Sequence, residues 1–154
     1  QSKVVGTEII MQSWQNAMDI LKAVKTDACP LATQDLEVNT RNRDKAIKAS
    51  YIQYGPLNVD NPGDFWKKIA DYWNTSESAA KQSKCGNCVA FDVSPRMDDC
   101  MPGKTSDADG RLGYCWMHHF KCHSARSCRT WAKGGPIKAD KVSYDWQKRK
   151  EGKK

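Results

Sequence analysis

Cysteine is the residue type in this sequence with the clearest capacity for chemistry. Thiolates bind metals and pairs of thiols oxidise to disulfides, so their number and spacing carry information. Six of the seven cysteines lie within 44 consecutive residues: Cys85, Cys88, Cys100, Cys115, Cys122 and Cys128. This density predicts a metal site, a disulfide framework or both. The seventh, Cys29, stands before Pro30, and we expect it to be buried as a small hydrophobic residue.

The closest pair of cysteines narrows the chemistry. Cys85-Gly-Asn-Cys88 places two thiolates on one tight turn, where both sulfurs can face a single metal centre. A haem attachment site is excluded, because Val89 stands where the axial histidine would follow the second cysteine. A thioredoxin-like redox pair requires alternating strands and helices, and the surrounding sequence lacks that pattern. A metal or iron–sulfur centre is the interpretation that fits.

Three segments around the cysteines resemble the cluster-binding region of high-potential iron–sulfur proteins. They are Cys85-Gly-Asn-Cys88-Val-Ala-Phe91, Gly113-Tyr-Cys115-Trp-Met and Cys128-Arg-Thr-Trp131-Ala132. The resemblance implies a [4Fe–4S] cluster held by Cys85, Cys88, Cys115 and Cys128. The chain departs from that family in the longer stretch between Cys88 and Cys115 and in the additional Cys100 and Cys122. Either additional cysteine is therefore an alternative ligand, and the two together form a candidate disulfide.

Aromatic and histidine residues bear on the choice between metals. Five aromatic residues lie within three positions of a cysteine: Phe91, Tyr114, Trp116, Phe120 and Trp131. They suit a cluster that must be shielded from water, although they would also form the core around a disulfide knot. Zinc is the alternative metal, held by thiolates or with help from His118, His119 and His123. The last two have a finger-like spacing, but they lie about 30 residues beyond Cys88.

A wider resemblance covers residues 51–138, which include YIQYGPLN, DFWKKIADYWNTSESAAK, KCGNCVAFDVSP and GYCWMHHFKC. These segments are similar to small high-potential-iron–sulfur-like proteins of tailed bacteriophages, which accompany virion structural proteins. The resemblance implies a structural or assembly protein of the capsid, neck or tail, located in the virion and bound to other virion proteins. A soluble electron-transfer protein of the bacterial periplasm is the first alternative. A zinc- or disulfide-stapled adaptor is the second.

The elements that must position the cysteines are mostly helical in the first half of the chain. Apolar periodicity predicts amphipathic helices over residues 7–25, about 43–53 and from Asn61-Pro62 to Trp73, with a further turn through Ala80. Residues 29–42 are predicted to be a connection. From residue 84 onward neither helical nor strand periodicity is visible. The predicted fold is therefore small α plus irregular: a helical region (1–83), a Cys-rich, loop-dominated domain around a metal centre (84–132) and a basic tail (133–154).

Composition and charge limit the classes of function. The chain has 154 residues and a mean hydropathy of −0.76, and no segment approaches the roughly 20 apolar residues of a membrane-spanning helix. The net charge is +7 and the last 23 residues contribute +5 of it, so weak contact with nucleic acid or an acidic protein surface is expected there. No catalytic motif is present, and we expect neither enzymatic activity nor a small-molecule substrate.

Overall fold

The computed structural model describes residues 29–151, and over that range the protein is a mixed α/β structure. Its six α-helices are α1 (Leu31–Gln34), α2 (Leu36–Lys48), α3 (Phe65–Trp73), α4 (Glu77–Lys81), α5 (Pro95–Cys100) and α6 (Asp140–Glu151). A three-stranded antiparallel sheet contains β1 (Phe91–Asp92), β2 (Leu112–Cys115) and β3 (Phe120–His123) in that order. The predicted helix over residues 7–25 lies outside the described residues.

Helices α1 and α2 occupy the segment that was predicted to be a connection, so that prediction is wrong. The Asp35 carboxylate begins α2 by accepting hydrogen bonds from the backbone N–H groups of Glu37 and Val38, at 3.0 and 3.2 Å. Helix α2 buries only Asn39 and Ala46, so its apolar periodicity is weak. The predicted helix over 43–53 therefore begins too late, and it also extends past the true end at Lys48.

Helices α3 and α4 follow the sequence prediction closely. Helix α3 begins at Phe65, with Asp64 rather than Asn61 at the N-cap. Asn74, at a φ of 56°, ends it in a left-handed conformation that asparagine tolerates well. The Ser76 hydroxyl then accepts a hydrogen bond from the Ala79 N–H at 3.1 Å and begins α4, as predicted. The two helices share a small apolar core made by Trp66, Ile69, Ala70 and Ala80.

The sheet is a feature that the sequence did not predict. Strands β2 and β3 form a hairpin in which Gly113 lies opposite Cys122 and Cys115 lies opposite Phe120. Strand β1 pairs with the other edge of β2. The glycine is required because a Cβ atom at position 113 would lie 2.5 Å from the Phe91 ring. Strands of two and four residues are too short to show a period of two, which explains why the sequence predicted no strands in the Cys-rich, loop-dominated region.

The main apolar core spans both sides of residue 83. Ala46, Ile52 and Tyr54, from the predicted helical region, are buried in one cluster with residues of the Cys-rich region. The Tyr54 ring meets the Phe120 ring edge to face, with their centroids 4.8 Å apart. The residues before position 83 therefore pack directly on the elements that carry the cysteines.

Half of the predicted basic tail is the helix α6, which a buried polar network holds on α5 and β1. The Asp92 carboxylate accepts hydrogen bonds from Trp116 Nε1 at 2.8 Å and from the Ser143 hydroxyl. Arg96 donates to Ser143 Oγ at 3.1 Å and to Gln147 Oε1 at 2.6 Å. Hydrogen bonds of this kind satisfy polar groups that would be costly to bury alone. Within residues 29–151 we find no helix with the length and apolar character needed to cross a membrane.

Candidate metal centre

Five cysteines that form no disulfide bond line one small cavity between the 3-10 turn, the hairpin and the segment after β3. They are Cys85, Cys88, Cys115, Cys122 and Cys128, and each side chain is buried. Phe91, Met117, Thr130 and Trp131 complete the walls. The structure thus brings together all four of the cysteines that the resemblance implies as ligands, and it adds one of the two alternatives.

Cys85 and Cys88 are positioned by a 3-10 turn over Cys85–Asn87. The Cys85 N–H donates to Arg126 O at 2.7 Å, and the Cys88 N–H donates to Cys85 O at 2.9 Å. The chain approaches this turn closely again at Gly135, where a Cβ atom would lie 1.7 Å from Cys88 O. Only glycine permits that approach, so Gly135 fixes how the last segment covers the turn.

Cys115 and Cys128 come from two different supports. Cys115 ends β2, and its sulfur accepts a hydrogen bond from the His118 backbone N–H at 3.4 Å. Cys128 lies on a segment held against residues 52–55, since the Arg129 N–H donates to Ile52 O at 2.6 Å. The Thr130 hydroxyl is hydrogen-bonded to Cys128 Sγ at 3.1 Å. A residue outside the predicted Cys-rich domain therefore fixes one candidate ligand.

Cys122 is the fifth thiol of the cavity, and it occupies β3 on the same face of the hairpin as Cys115. Its sulfur hydrogen-bonds with the thiols of Cys85 and Cys115. The other sulfurs instead accept hydrogen bonds from backbone or hydroxyl groups, at Cys88, Cys115 and Cys128. At Cys88 the donors are the N–H groups of Ala90 and Ala132.

Burial changes the acidity of these thiols. Desolvation raises the pKa of the Cys88, Cys122 and Cys128 thiols, that of Cys128 to about 12. Neighbouring sulfurs raise the pKa values further, whereas hydrogen bonds from Ala132 to Cys88 and from Thr130 to Cys128 lower them. Without metal, these three thiols are therefore protonated at neutral pH. Binding metal would release their protons to solvent.

The other two cysteines form a disulfide away from the cavity. Cys29 is bonded to Cys100, and their Cα atoms are 5.5 Å apart. This finding corrects three expectations. Cys29 is not a free buried thiol, Cys100 does not pair with Cys122, and Cys100 is not available as an alternative ligand. The Gln34 side chain at the end of α1 donates to Cys100 O at 2.7 Å, and this tertiary contact accompanies the pairing.

The three histidines are hydrogen-bonded to nearby side chains. His118 Nε2 and Thr130 Oγ1 are 2.6 Å apart, and His119 Nδ1 lies 3.2 Å from the Tyr114 hydroxyl. His123 Nε2 lies 2.8 Å from an Asp107 carboxylate oxygen. The cavity walls contain none of these imidazoles among the described residues. His118 nevertheless contacts the centre through its hydrogen bond to Thr130.

Comparisons with known proteins add no assignment to this geometry. No family model, curated protein or solved structure matches the chain. Within residues 29–151, no group of three or more His, Cys, Asp or Glu side chains is arranged to hold one metal ion.

The donor set nevertheless suits an iron–sulfur cluster. Four cysteine thiolates are the usual ligands of a [4Fe–4S] cluster, and each binds a different iron, so the sulfurs surround a volume rather than one point. The cavity between the thiols is about 20 Å³, close to the space of one water molecule. A cluster is larger than this. The cysteine side chains would have to rotate apart to accept it, in keeping with metal binding that is coupled to local structure.

The sequence identifies the candidate ligands, but it does not identify the groups that hydrogen-bond to their sulfurs or hold their segments in place. Thr130 and His118 carry no recognisable motif, and their contacts with Cys128 and Cys115 depend on the hairpin turn and the segment that follows it. Ile52 likewise lies 76 positions before Cys128 in the sequence. The short spacing of Thr130 from Cys128 was the one local signal, because a hydroxyl two residues on can reach the sulfur.

Proposed function

We propose that this protein binds a [4Fe–4S] cluster through Cys85, Cys88, Cys115 and Cys128. The observation that carries the proposal is the set of buried free thiols around one cavity with largely apolar walls. Buried thiols of this number, without disulfide bonds among them, are typical of a metal or cluster site rather than of an ordinary core. When bound, such a cluster supplies four cross-links between distant chain segments and one site for a single electron.

The surroundings of the thiols support a cluster over an ordinary core. Backbone N–H groups donate to the Cys88 and Cys115 sulfurs, and the Thr130 hydroxyl lies in hydrogen-bonding contact with Cys128. Hydrogen bonds to sulfur stabilise cluster thiolates and help to set the reduction potential. The Phe91, Met117 and Trp131 side chains limit the access of water to the same cavity.

Elemental analysis of anaerobically purified protein tests this proposal. We expect about four irons and four acid-labile sulfides per chain. Zinc as the main metal, or protein without metal after anaerobic reconstitution, would overturn it. Cys128→Ala should lose the cluster. The control is Cys100→Ala, which also removes a buried cysteine but one that lies outside the cavity. It breaks the disulfide and lowers stability, yet it should keep the full iron content.

For the role of the cluster, we propose a structural one in a tailed-bacteriophage virion, with other virion proteins as partners. This part of the proposal depends on the resemblance over residues 51–138. The positions of the ligands in the sequence support a structural role. They lie on three separate segments, so the cluster would join the 3-10 turn, the hairpin and the segment that Ile52 supports. The Cys29–Cys100 disulfide suits an oxidising environment such as a released particle.

The test of the virion role is the presence of the protein in purified phage particles at a fixed copy number per particle. Particles assembled with the Cys128→Ala chain should be fewer or less stable than those assembled with the Ser106→Ala chain, which changes an exposed serine. Particles that form with normal yield and stability in the complete absence of the chain would contradict a structural role.

One observation favours electron transfer as a second candidate. Met117 and Trp131 line the cavity and are only half buried, so part of the cavity wall is also in contact with solvent. The exposed side chains of Lys84 and Lys133 lie next to this region in sequence and would suit an acidic redox partner. A reversible one-electron wave from a stable, isolated monomer would favour this candidate, which could act in the bacterial periplasm. Absence of any reversible couple would favour the structural role.

A further inference from the structure

The cavity contains one more thiol than a cubane cluster uses. Four irons bind four cysteine sulfurs, whereas five free cysteines line the walls. The fifth by position is Cys122, which is 2 % exposed and has no route to solvent reagents except through the cavity or the core. Its role is therefore a question about the centre itself.

The contacts of Cys122 are selective. Its sulfur lies within hydrogen-bonding range of the sulfurs of Cys85 and Cys115. The hairpin register explains the contact with Cys115, because Cys122 faces Gly113 and Cys115 faces Phe120. Two residues on paired strands that are diagonal neighbours share one face of the sheet. The Phe91 ring, which is another wall of the cavity, fills the space beside Gly113.

We propose that Cys122 is a reserve ligand that can replace Cys85 or Cys115, but neither Cys88 nor Cys128, at the cluster. This inference rests on the proposed function. The Cys122 sulfur is in contact with the sulfurs of the two residues that it would replace, so the replacement would need no further chain segment to enter the cavity. The Cys122 S–H bond breaks, the proton passes to solvent, and the sulfur forms a bond to the iron that lacks its usual thiolate. No oxidant or reductant is needed.

The geometry gives the proposal its selectivity. Cys88 is covered by the segment that ends at Gly135, and Cys128 is held by the contact between Arg129 and Ile52. The electrostatic neighbours of both sulfurs are Cys85 and Cys115. Cys122 is in contact with the sulfurs of Cys85 and Cys115, and these are the two ligands that it could replace. To replace Cys88 or Cys128, the Cys122 sulfur would have to leave these two contacts and approach segments that are held by their own backbone hydrogen bonds.

The experiment compares four single variants, Cys85→Ala, Cys115→Ala, Cys88→Ala and Cys128→Ala, each with and without the additional change Cys122→Ala. Every protein is reconstituted anaerobically with ferrous iron and sulfide, and iron and acid-labile sulfide are measured per folded chain. We expect Cys85→Ala and Cys115→Ala to keep about four irons with altered visible absorption, and to lose them when Cys122 is also replaced. Cys88→Ala and Cys128→Ala should lose the cluster in both backgrounds.

Three results would overturn the inference. One is a loss of iron in both Cys85→Ala and Cys115→Ala that equals the loss in their double variants. Another is rescue of Cys88→Ala or Cys128→Ala by Cys122. The third is loss of the cluster from Cys122→Ala alone, since that would make Cys122 a resident ligand.

Failure of the proposed function gives a different result, because the unmodified protein itself would then take up neither four irons nor sulfide. Far-UV circular dichroism restricts the comparison to folded variants. Position 85 lies outside the sheet. If Cys115→Ala unfolds, the iron content of Cys85→Ala with and without Cys122→Ala tests the inference.

Discussion

Removing the Cys29–Cys100 disulfide should destabilise the protein by an amount that follows from its place in the chain. The bond joins residues 71 positions apart, and it encloses α1 to α5 in one covalent loop. In the chain-entropy treatment, closing a loop of this length lowers the conformational entropy of the unfolded state. At 25 °C this raises the free energy of unfolding by about 4.4 kcal/mol. The folded state keeps its other contacts, so most of this free energy should be lost when either cysteine is replaced.

The measurement is denaturant and thermal unfolding of Cys29→Ala, Cys100→Ala and the double variant. For a chain of this size, a loss of about 4 kcal/mol corresponds to a fall of about 8–16 °C in the midpoint temperature. All three variants should be equally destabilised to within about 0.5 kcal/mol, because either substitution removes the same bond. Peptide mapping without reduction should recover the Cys29 and Cys100 peptides linked to each other.

Two outcomes would refute this reasoning. If Cys29→Ala stays within about 1 kcal/mol of the unmodified protein, the loop is not closed by this bond in solution or the unfolded chain is already compact. If the Cys100 peptide is instead recovered with Cys122, the pairing is different and one wall of the cavity is missing. Reduction of the unmodified protein is the matched control. It should bring the stability down to that of the variants and leave the variants themselves unchanged.

Three further predictions concern the scaffold. Ser143→Ala should destabilise the protein by about 1–3 kcal/mol, because it leaves buried charged partners short of a hydrogen bond; thermal melts measure it. Gly135→Ala should cost about 3 kcal/mol or more and reduce cluster uptake, because its Cβ would overlap Cys88 O. The hydrogen bond with His123 holds the Asp107 pKa below its ordinary value of 3.8. The stabilisation by this hydrogen bond is therefore fully present above pH 3.8 and is lost as the pH falls through the lowered pKa of the folded protein. An NMR titration should show the low pKa, and His123→Ala should raise it.

Each of these predictions has a control. Ser106→Ala changes an exposed serine and should alter stability by no more than about 0.5 kcal/mol. Gly103→Ala meets no atom within 4 Å but has a φ of 80°, so it should cost only about 1–2 kcal/mol. Equal effects of the two glycine variants would contradict the argument from close approach. An Asp107 carboxyl that titrates normally would show that the contact with His123 does not persist in solution.

The sequence was most informative about the residues that could do chemistry. Four of the five thiols in the cavity were named from their spacing and from a family resemblance, and the fifth was named as an alternative. Cysteine is informative because few other roles explain so many in one short segment. The disulfide was not predictable, since the partner of Cys100 depends on which helix end lies beside it.

The secondary structure could be predicted where the helices are amphipathic. It could not be predicted where an N-cap or the pairing of strands determines the element. Helix α3 has a continuous apolar face, whereas α2 is mostly polar and depends on the Asp35 cap. Helix α6 buries Ser143 and Gln147, two polar residues that give no hydrophobic signal. Strand β1 is defined by its pairing with β2, which places Phe91 opposite Cys115, and the hairpin strands β2 and β3 have only four residues each. Local propensity therefore carried little information there.

Two sets of cross-links, one present and one proposed, would hold overlapping parts of the same chain. The disulfide closes residues 29–100, and a cluster on the four candidate ligands would close residues 85–128. Both loops contain the 3-10 turn and β1. Each cross-link would therefore restrain residues that the other cross-link also restrains. A chain with a modest apolar core gains stability from such overlap, because each link lowers the entropy of the unfolded state in a different region. The residues beyond Trp131 lie outside both loops. Backbone hydrogen bonds attach residues 132–137 to the 3-10 turn and β1, including one from the Ile137 N–H to Phe91 O at 2.7 Å. The buried network of Arg96, Asp92 and Ser143 attaches α6, so the last segment is held by hydrogen bonds rather than by either cross-link.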